Sequence, residues 1–201
     1  MTRSYRSPRR AQDAADTRRD ILRAAAELFS TNGYARVTVA EIAKLAGVAP
    51  QTVYTSAGSK SEILHKVVSE SIARSDAASV TRAIRETEGV GAALTVLAKG
   101  TRMGNESEQQ VIEVLFAAFP VHEDGAALWE HSTRSYRLAL REAAEHLDSK
   151  GLLRVDVDRA TDVLWFCFGF GAWRTLVKEC GWSWDDAEKW LAQQAITMFT
   201  H

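Results

Sequence analysis

The sequence predicts an all-α protein of about nine helices, with a small three-helix unit at the N-terminus and a larger helical region after it. Apolar residues recur at helical spacing along most of the chain, and no stretch of any length shows the alternation of a strand. Residues that start and stop helices divide this pattern into segments. With 201 residues, 46% of them apolar, the chain can bury a core without disulfide bonds or metals.

The first predicted helix covers residues 17–32, with Asp16 or Thr17 as its cap and Gly33 as its terminator. Its apolar side contains Ile21, Leu22, Ala25, Leu28 and Phe29. This spacing gives one buried face, able to support the short helices that follow.

The second helix is predicted to start at Thr38, because Thr38 and Glu41 have the spacing of a capping box. Gly47 ends this helix after two turns, since glycine tolerates the left-handed conformation. Pro50 suits the first position of the next helix, where a missing N–H costs no hydrogen bond. The sequence therefore predicts two short helices joined by a tight turn.

Ala43, Gly47 and Val53 have the spacing of the contacts inside a helix-turn-helix motif. The residues that then point outward on the second short helix are polar or aromatic: Gln51, Thr52, Tyr54 and Thr55. Such groups can bind the edges of bases and phosphates. An ordinary helical hairpin is the alternative interpretation.

A further capping box, formed by Ser59 and Glu62, starts a helix predicted to run without a break over residues 59–86. Lys60 lies in its first turn, where a positive charge is unfavourable against the helix dipole. A DNA phosphate near this helix start would explain the position, and a solvated lysine is the alternative. We expect the continuous helix to transmit movements rigidly between the two parts of the chain.

The stretch FSTNGYARVTVAEIAKLAGVAPQTVYTSAGSKSEIL resembles the DNA-binding region of the tetracycline-repressor (TetR) family of bacterial transcription regulators. The similarity covers about residues 17–66 and rests on Phe29, Gly33-Tyr34, Thr38, Ile42-Ala43, Ala46-Gly47-Val48, Val53-Tyr54 and Ser59-Lys60. The family often has an aromatic residue and a proline before the Ser-Lys pair, whereas this chain has Ala57 and Gly58. That difference removes one packing contact between the recognition helix and the fourth helix.

The resemblance implies that Thr38 and Lys60 bind phosphate and that the helix from Ala49 to Thr55 enters the major groove. The implied contacts to DNA are Gln51, Thr52, Tyr54 and Thr55. Independently, glutamine can bind adenine through two hydrogen bonds, and threonine can contact a base or a thymine methyl group.

The charge distribution agrees with this interpretation. Through Lys66 the chain has eleven Lys and Arg against six Asp and Glu, a net +5, and the remainder has fourteen against twenty, a net −6. Residues 1–15 contain several arginines and no apolar period, which predicts a flexible basic arm. The two alternatives for this arm are a contact with DNA and no function. The arm is not followed by the apolar run that a signal peptide would have.

The C-terminal region is predicted to be helical, with breaks near Gly89, Gly104, residues 120–125 and residues 151–158. The segment Val163–Trp173 is apolar on all sides and too short to cross a membrane, so two protein surfaces must cover it. In the TetR family the last two helices form a four-helix dimer interface. The predicted interface residues are Trp165, Phe168, Ala172, Leu191, Ala195 and Met198, with an intramolecular core as the alternative.

A pocket for a small apolar or aromatic effector is expected among the middle helices. Its candidate residues are Met103, Phe116, Phe119, Trp129, Thr133 and Tyr136. For each of them, simple core packing is the alternative. His122, Glu123, Glu130 and His131 lack the spacing of a metal site and are interpreted as surface groups.

These observations together predict a homodimeric DNA-binding regulator with a palindromic operator, acting as a repressor until an effector binds. The predicted domains are a basic arm (1–15), a helix-turn-helix domain (16–66) and a ligand-binding and dimerisation domain (67–201). No cofactor, metal or membrane is expected, and two cysteines without metal-ligand spacing suit the reducing cytoplasm. An all-α enzyme and a helical protein-binding adaptor are the rival classes, although no catalytic pattern is recognisable.

Overall fold

The computed structural model describes residues 8–74 and 76–200, which form helices and connecting turns without a strand. The all-α prediction is therefore confirmed. The helices are α1 (Pro8–Asn32), α2 (Val39–Leu45), α3 (Pro50–Ser56), α4 (Lys60–Arg74), α5 (Ala77–Arg85), α6 (Val90–Ser107), α7 (Gln109–Ala118), α8 (Gly125–Ser149), α9 (Val157–Phe168), α10 (Phe170–Trp173) and α11 (Trp184–Thr200). A 3₁₀ turn covers Tyr34–Arg36, and a π-helical turn covers Arg174–Glu179. None of the helices described is both long and apolar enough to cross a membrane.

Helix α1 begins at Pro8, nine residues before the predicted start, so residues 8–15 of the predicted flexible arm are helical. This part has no apolar stripe, which is why periodicity did not reveal it. Alanine-rich sequence and a hydrogen bond from Gln12 Nε2 to Asp16 Oδ1 (3.1 Å) favour the helix instead. The rest of the arm, residues 1–7, lies outside the described residues.

The predicted helix starts are confirmed where capping boxes indicated them. The Thr38 hydroxyl accepts a hydrogen bond from the Glu41 backbone N–H, and the Thr38 backbone N–H donates to the Glu41 carboxylate. Ser59 and Glu62 repeat this arrangement. At the turn between α2 and α3, Gly47 has φ +69°, as its predicted role requires.

The prediction of one continuous helix over residues 59–86 is wrong. Helix α4 ends at Arg74 and α5 begins at Ala77. Asp76 leaves the helical conformation with φ −105° and ψ 43°, and its carbonyl accepts hydrogen bonds from both the backbone N–H and the hydroxyl of Ser79. These bonds start a new helix, so residues 59–86 do not form the expected continuous rod.

Two glycines have roles that differ from the predicted ones. Gly104 does not interrupt α6, which continues to Ser107. Gly169, expected within a helix, instead separates α9 from α10 with ψ 168°. A side chain at Gly169 would place its Cβ 2.5 Å from the carbonyl oxygen of Trp165, so the close approach there requires glycine.

The chain divides into two compact units. The first combines the helices up to Ala73 with residues Gln110–Trp129, which the sequence had assigned to the C-terminal domain. The second combines Arg74–Gln109 with the helices from Glu130 onward.

Each unit has its own apolar core. In the first, the fully buried side chains include Ile21, Phe29, Ile42, Val53, Ile63 and Leu64. In the second, α6 packs against α5, α9, α10 and α11. The largest buried side chains of that core are Ile84, Leu94, Leu140, Leu147, Phe168 and Trp173.

Candidate DNA-binding site

Helices α2 and α3 pack closely because the residues between them are small or aliphatic. Ala43 on α2 and Val53 on α3 are 1% and 0% exposed, as predicted from their spacing. Helix α1 contacts both helices and supplies buried Phe29. The orientation of α3 is therefore fixed by packing on its inner side, which is what a helix that reads DNA needs.

The outer side of α3 presents the predicted contact residues together. Gln51 and Thr55 are exposed, Tyr54 is 53% exposed, and Thr52 is half-buried. Ala49, the N-cap residue, is exposed at the helix start. The Thr55 hydroxyl donates to the carbonyls of Gln51 (3.0 Å) and Thr52 (3.1 Å), so it can only accept a hydrogen bond from a base.

Thr38 lies exposed at the start of α2, and its hydroxyl is committed to the capping box. It donates to the Glu41 carboxylate (2.8 Å) while accepting from the Glu41 N–H (3.3 Å). The hydrogen bond from the Thr38 backbone N–H, with a smaller contribution from its hydroxyl, lowers the pKa of Glu41. The backbone at this helix start thus faces solvent beside a carboxylate that stays ionised.

Lys60 has a role inside the protein that its sequence position did not reveal. Its ammonium group donates hydrogen bonds to the backbone carbonyls of Tyr34 (3.1 Å), Ala35 (3.4 Å) and Val37 (3.0 Å). It also lies 4.4 Å from the centre of the Tyr34 ring. An ammonium group has three N–H donors, so the predicted phosphate contact would require one of these bonds to be exchanged.

Lys66 supports the recognition helix from α4. Its ammonium group donates to the carbonyl of Ala57, the C-cap residue of α3, at 2.6 Å. Ala57 is fully buried, and Gly58 follows it with φ +93°. A positive charge at the carbonyl end of a helix is favourable, so this bond supplies a contact where the sequence departs from the TetR pattern.

His122, interpreted from the sequence as a surface group, joins the segment between α7 and α8 to the N-terminal helices. Its Nε2 lies 3.0 Å from the Ser61 hydroxyl oxygen, while its Nδ1 accepts a hydrogen bond from the Asp124 N–H (3.0 Å). The ring also lies against Tyr34 (5.2 Å between centroids) and His65 (5.9 Å). Sixty-one positions separate Ser61 from His122, so no local pattern could have indicated this contact.

Two basic residues near α2 were missed as candidate phosphate contacts. Arg36 ends the 3₁₀ turn before α2, and Lys44 lies in the last turn of α2. Both are exposed. The net positive charge of the N-terminal sequence was the available signal, but it did not select individual residues.

The predicted effector residues are divided between the two compact units, with Phe116, Phe119 and Trp129 in the first and Met103, Thr133 and Tyr136 in the second. The Trp129 ring lies against Phe116 (5.3 Å) and Phe119 (5.6 Å). Tyr136 instead contacts Trp165 (5.6 Å) and Phe170 (5.3 Å). Among the remaining two candidates, Met103 is 61% exposed and Thr133 is buried.

Half of the predicted dimer-interface residues belong to the core of the protomer. Phe168, Leu191 and Ala195 are at most 4% exposed within the single chain, so they cannot face a partner in this conformation. Trp165 and Ala172 are half-buried, and Met198 is half-exposed. The sequence missed Phe166, which is 72% exposed, because a segment that is apolar on all sides does not reveal which side faces inward.

Comparison with protein families matches residues 21–67 to "Bacterial regulatory proteins, tetR family". No curated protein sequence matches the chain. Solved structures with the same fold include the fatty acid degradation regulator FadR from Bacillus halodurans (TM-score 0.73, 19% identity, 96% of both chains covered). FadR from Bacillus subtilis in complex with stearoyl-CoA is also similar (TM-score 0.72, 17% identity, 88% of this chain and 96% of that chain).

A third structure with this fold is the TetR-family regulator PfmR from Thermus thermophilus (TM-score 0.69, 18% identity, 90% of this chain and 94% of that chain). The family match includes α2, α3 and the start of α4, where the fixed and exposed recognition helix lies. The all-helical fold agrees with it over most of the chain. Residues 21–67 are therefore similar to the tetR family of bacterial regulatory proteins, and the chain as a whole has the fold of these solved structures.

Proposed function

We propose that the protein is a homodimeric repressor that occupies a palindromic operator until a small apolar or aromatic molecule releases it. The observation that carries the proposal is the exposed polar side of α3, held in place by α1, α2 and the Lys66 contact from α4. The family match of residues 21–67 and the fold shared with solved regulators favour this function over an all-α enzyme or a protein-binding adaptor.

In the proposed complex, α3 lies in the major groove and Gln51 reads an adenine through two hydrogen bonds. Thr55 accepts a hydrogen bond from a base amino group, since its own proton is used within the helix. Tyr54 binds phosphate, and Arg36 and Lys44 add phosphate contacts near the two ends of α2. Such contacts would make binding strongly dependent on salt.

The proposed dimer uses the exposed apolar side chains of α9 and α11. Phe166 and Met198 are 72% and 50% exposed, and the sulfur atoms of Cys167 and Met198 lie 3.8 Å apart, so these two helices are neighbours here. A two-fold dimer has two α3 helices, which matches the symmetry of a palindromic operator.

The effector is proposed to contact the aromatic group formed by Phe116, Phe119 and Trp129. Movement there would reach α4 through the segment between α7 and α8, where His122 lies within hydrogen-bond distance of Ser61. Bacillus subtilis FadR was solved in complex with stearoyl-CoA, whose acyl chain is apolar, so stearoyl-CoA is the first molecule to test. The molecule must bind the DNA-free conformation more tightly, because equal affinity for both states shifts nothing. The protein would act on chromosomal DNA in the cytoplasm.

The decisive experiment is selection sequencing of random and genomic DNA fragments with the purified full-length protein, followed by titration of the enriched site at two salt concentrations. We expect a palindrome bound by a dimer, and release when stearoyl-CoA or an aromatic effector is added. Weak binding to all sequences by correctly folded protein would contradict the proposal. Operator binding unaffected by every molecule tested would contradict only its effector part.

A further inference from the structure

A buried hydrogen-bonded network in the second unit ends in one unsatisfied acceptor. Asn105 on α6 is 3% exposed, and its Nδ2 donates to the Thr101 carbonyl (2.7 Å) and to the Tyr136 hydroxyl (3.2 Å). The Tyr136 hydroxyl donates in turn to the Phe168 carbonyl. The Asn105 Oδ1 atom is buried and has no hydrogen-bond partner among the residues that the structure describes.

The orientation of the Asn105 amide is fixed by its neighbours. Exchanging its oxygen and nitrogen would place two carbonyl oxygens against each other at Thr101, because Thr101 O can only accept. Tyr136 cannot satisfy Oδ1 either, since its single proton is donated to Phe168. Burial raises the pKa of Tyr136, so that proton stays in place. Oδ1 therefore needs a donor from outside the network.

An unsatisfied buried acceptor costs about 1–3 kcal/mol, so native structures seldom keep one without a reason. The side chains around Tyr136, which contacts Asn105, indicate which kind of molecule could supply the missing donor. Tyr136, Trp165 and Phe170 form a group of rings with centroids 5.3–6.0 Å apart, and all three are only partly buried. Aromatic rings at this spacing stack well against another ring.

The charges at this position limit the chemistry of a ligand. Asn105 offers an acceptor only, which disfavours a carboxylate or phosphate. Arg137, whose guanidinium carbon lies 5.2 Å from the Trp165 ring centre, forms an ion pair with Asp162 (3.1 Å), so the two charges compensate each other and attract neither a cation nor an anion strongly. A neutral aromatic molecule with a hydroxyl or N–H donor fits both conditions.

We propose that Asn105, Tyr136, Trp165 and Phe170 form a binding site for a neutral phenol-like molecule whose hydroxyl donates to Asn105 Oδ1. This site is separate from the one proposed above at Phe116, Phe119 and Trp129, and it rests on the proposed function only for a consequence at the operator. The binding itself is independent of DNA, so the two proposals can fail separately.

The test compares 4-ethylphenol with 4-ethylanisole, its methyl ether without the donor, by calorimetric titration of the full-length protein without DNA. We expect the phenol to bind at least about tenfold more tightly, as one buried hydrogen bond provides. The Asn105→Leu variant should remove this difference, while Lys99→Leu, a control at an exposed position of the same helix, should retain it.

The wild-type comparison needs no variant, so the test stands even if Asn105→Leu fails to fold. Equal affinity for both compounds, or no binding of the phenol up to its solubility limit, overturns the proposal. So does an unchanged preference in a folded Asn105→Leu variant. If the phenol binds as expected but the protein selects no operator, the site stands and the proposed function fails.

Discussion

A lysine can bind phosphate only through N–H groups that the protein does not already use. The ammonium group of Lys60 donates to the carbonyls of residues 34, 35 and 37, which joins the chain before α2 to the start of α4. At the scale of single residues, this contact changes the expected consequence of losing Lys60. A phosphate contact would weaken DNA binding alone, whereas an internal contact would weaken the fold.

We predict that Lys60→Met lowers the free energy of unfolding by about 1–3 kcal/mol, because three carbonyls lose a charged donor. Urea denaturation followed by circular dichroism measures the change. Lys44→Met, an exposed lysine on α2, is the matched control and should leave stability nearly unchanged. If Lys60→Met kept full stability and only reduced the salt dependence of DNA binding, the phosphate role implied by the sequence would be right.

Gln51 is predicted to supply base recognition, because its amide is exposed on the outer side of α3. Replacing Gln51 with alanine should lower discrimination at one base position per half-site by about 1–3 kcal/mol, as loss of a bidentate contact does. Competition binding against all four bases at each position measures this effect. A uniform loss of affinity for every sequence would instead assign Gln51 to phosphate binding.

At the scale of helices, the predictions that rest on short-range sequence patterns are the ones that the structure confirms. The capping residues Thr38 and Ser59 and the turn at Gly47 each act within four residues, so the sequence located α2, α3 and the start of α4 correctly. The break at Asp76 was missed because apolar spacing continued across it. The contacts of Lys60 and His122 join residues 23–61 positions apart, and only the folded chain could show them.

The two N-terminal capping boxes make the stability of the first unit dependent on pH. Hydrogen bonds from the backbone N–H groups of Thr38 and Ser59, the largest cause in each case, lower the pKa values of Glu41 and Glu62 below the ordinary 4.5. A carboxyl group with a lowered folded-state pKa stabilises the fold fully above its unfolded-state pKa. This stabilisation is lost as the pH falls from about 4.5 through the lowered values.

We therefore expect the melting temperature to decline below about pH 4.5, and the double variant Glu41→Gln/Glu62→Gln to show a smaller decline. At pH 7 the double variant should melt at a lower temperature than the wild type, because a neutral amide caps a helix less well than a carboxylate. Glu27→Gln, an exposed position on α1, serves as the control. A double variant with the wild-type pH profile would show that the capping carboxylates do not contribute to this dependence.

At the scale of the whole molecule, the sequence predicted an apolar C-terminal surface, but three of the six residues that it assigned to this surface are buried in the protomer. Phe168, Leu191 and Ala195 fill the core of the protomer, and Phe166 lies outside it. Phe166 and Phe168 lie on α9, and Leu191 and Ala195 lie on α11. Helical periodicity does not decide which of these side chains face outward, because that depends on tertiary packing. The dimer proposal therefore rests on Phe166 and its neighbours.

Phe166→Glu should convert the proposed dimer into a monomer, because it places a charge where a large apolar side chain would be buried by the partner. Light scattering after size-exclusion chromatography measures the mass of the particle. The matched control, Val155→Glu, changes a 42% exposed apolar residue before α9 and should remain dimeric. The monomer should also bind the operator at least about tenfold more weakly, since the two half-sites are no longer bound together. Loss of operator binding with the dimer intact would instead show that Phe166 acts on DNA recognition by another route, and an unchanged dimer with unchanged binding would move the interface to another surface of the second unit.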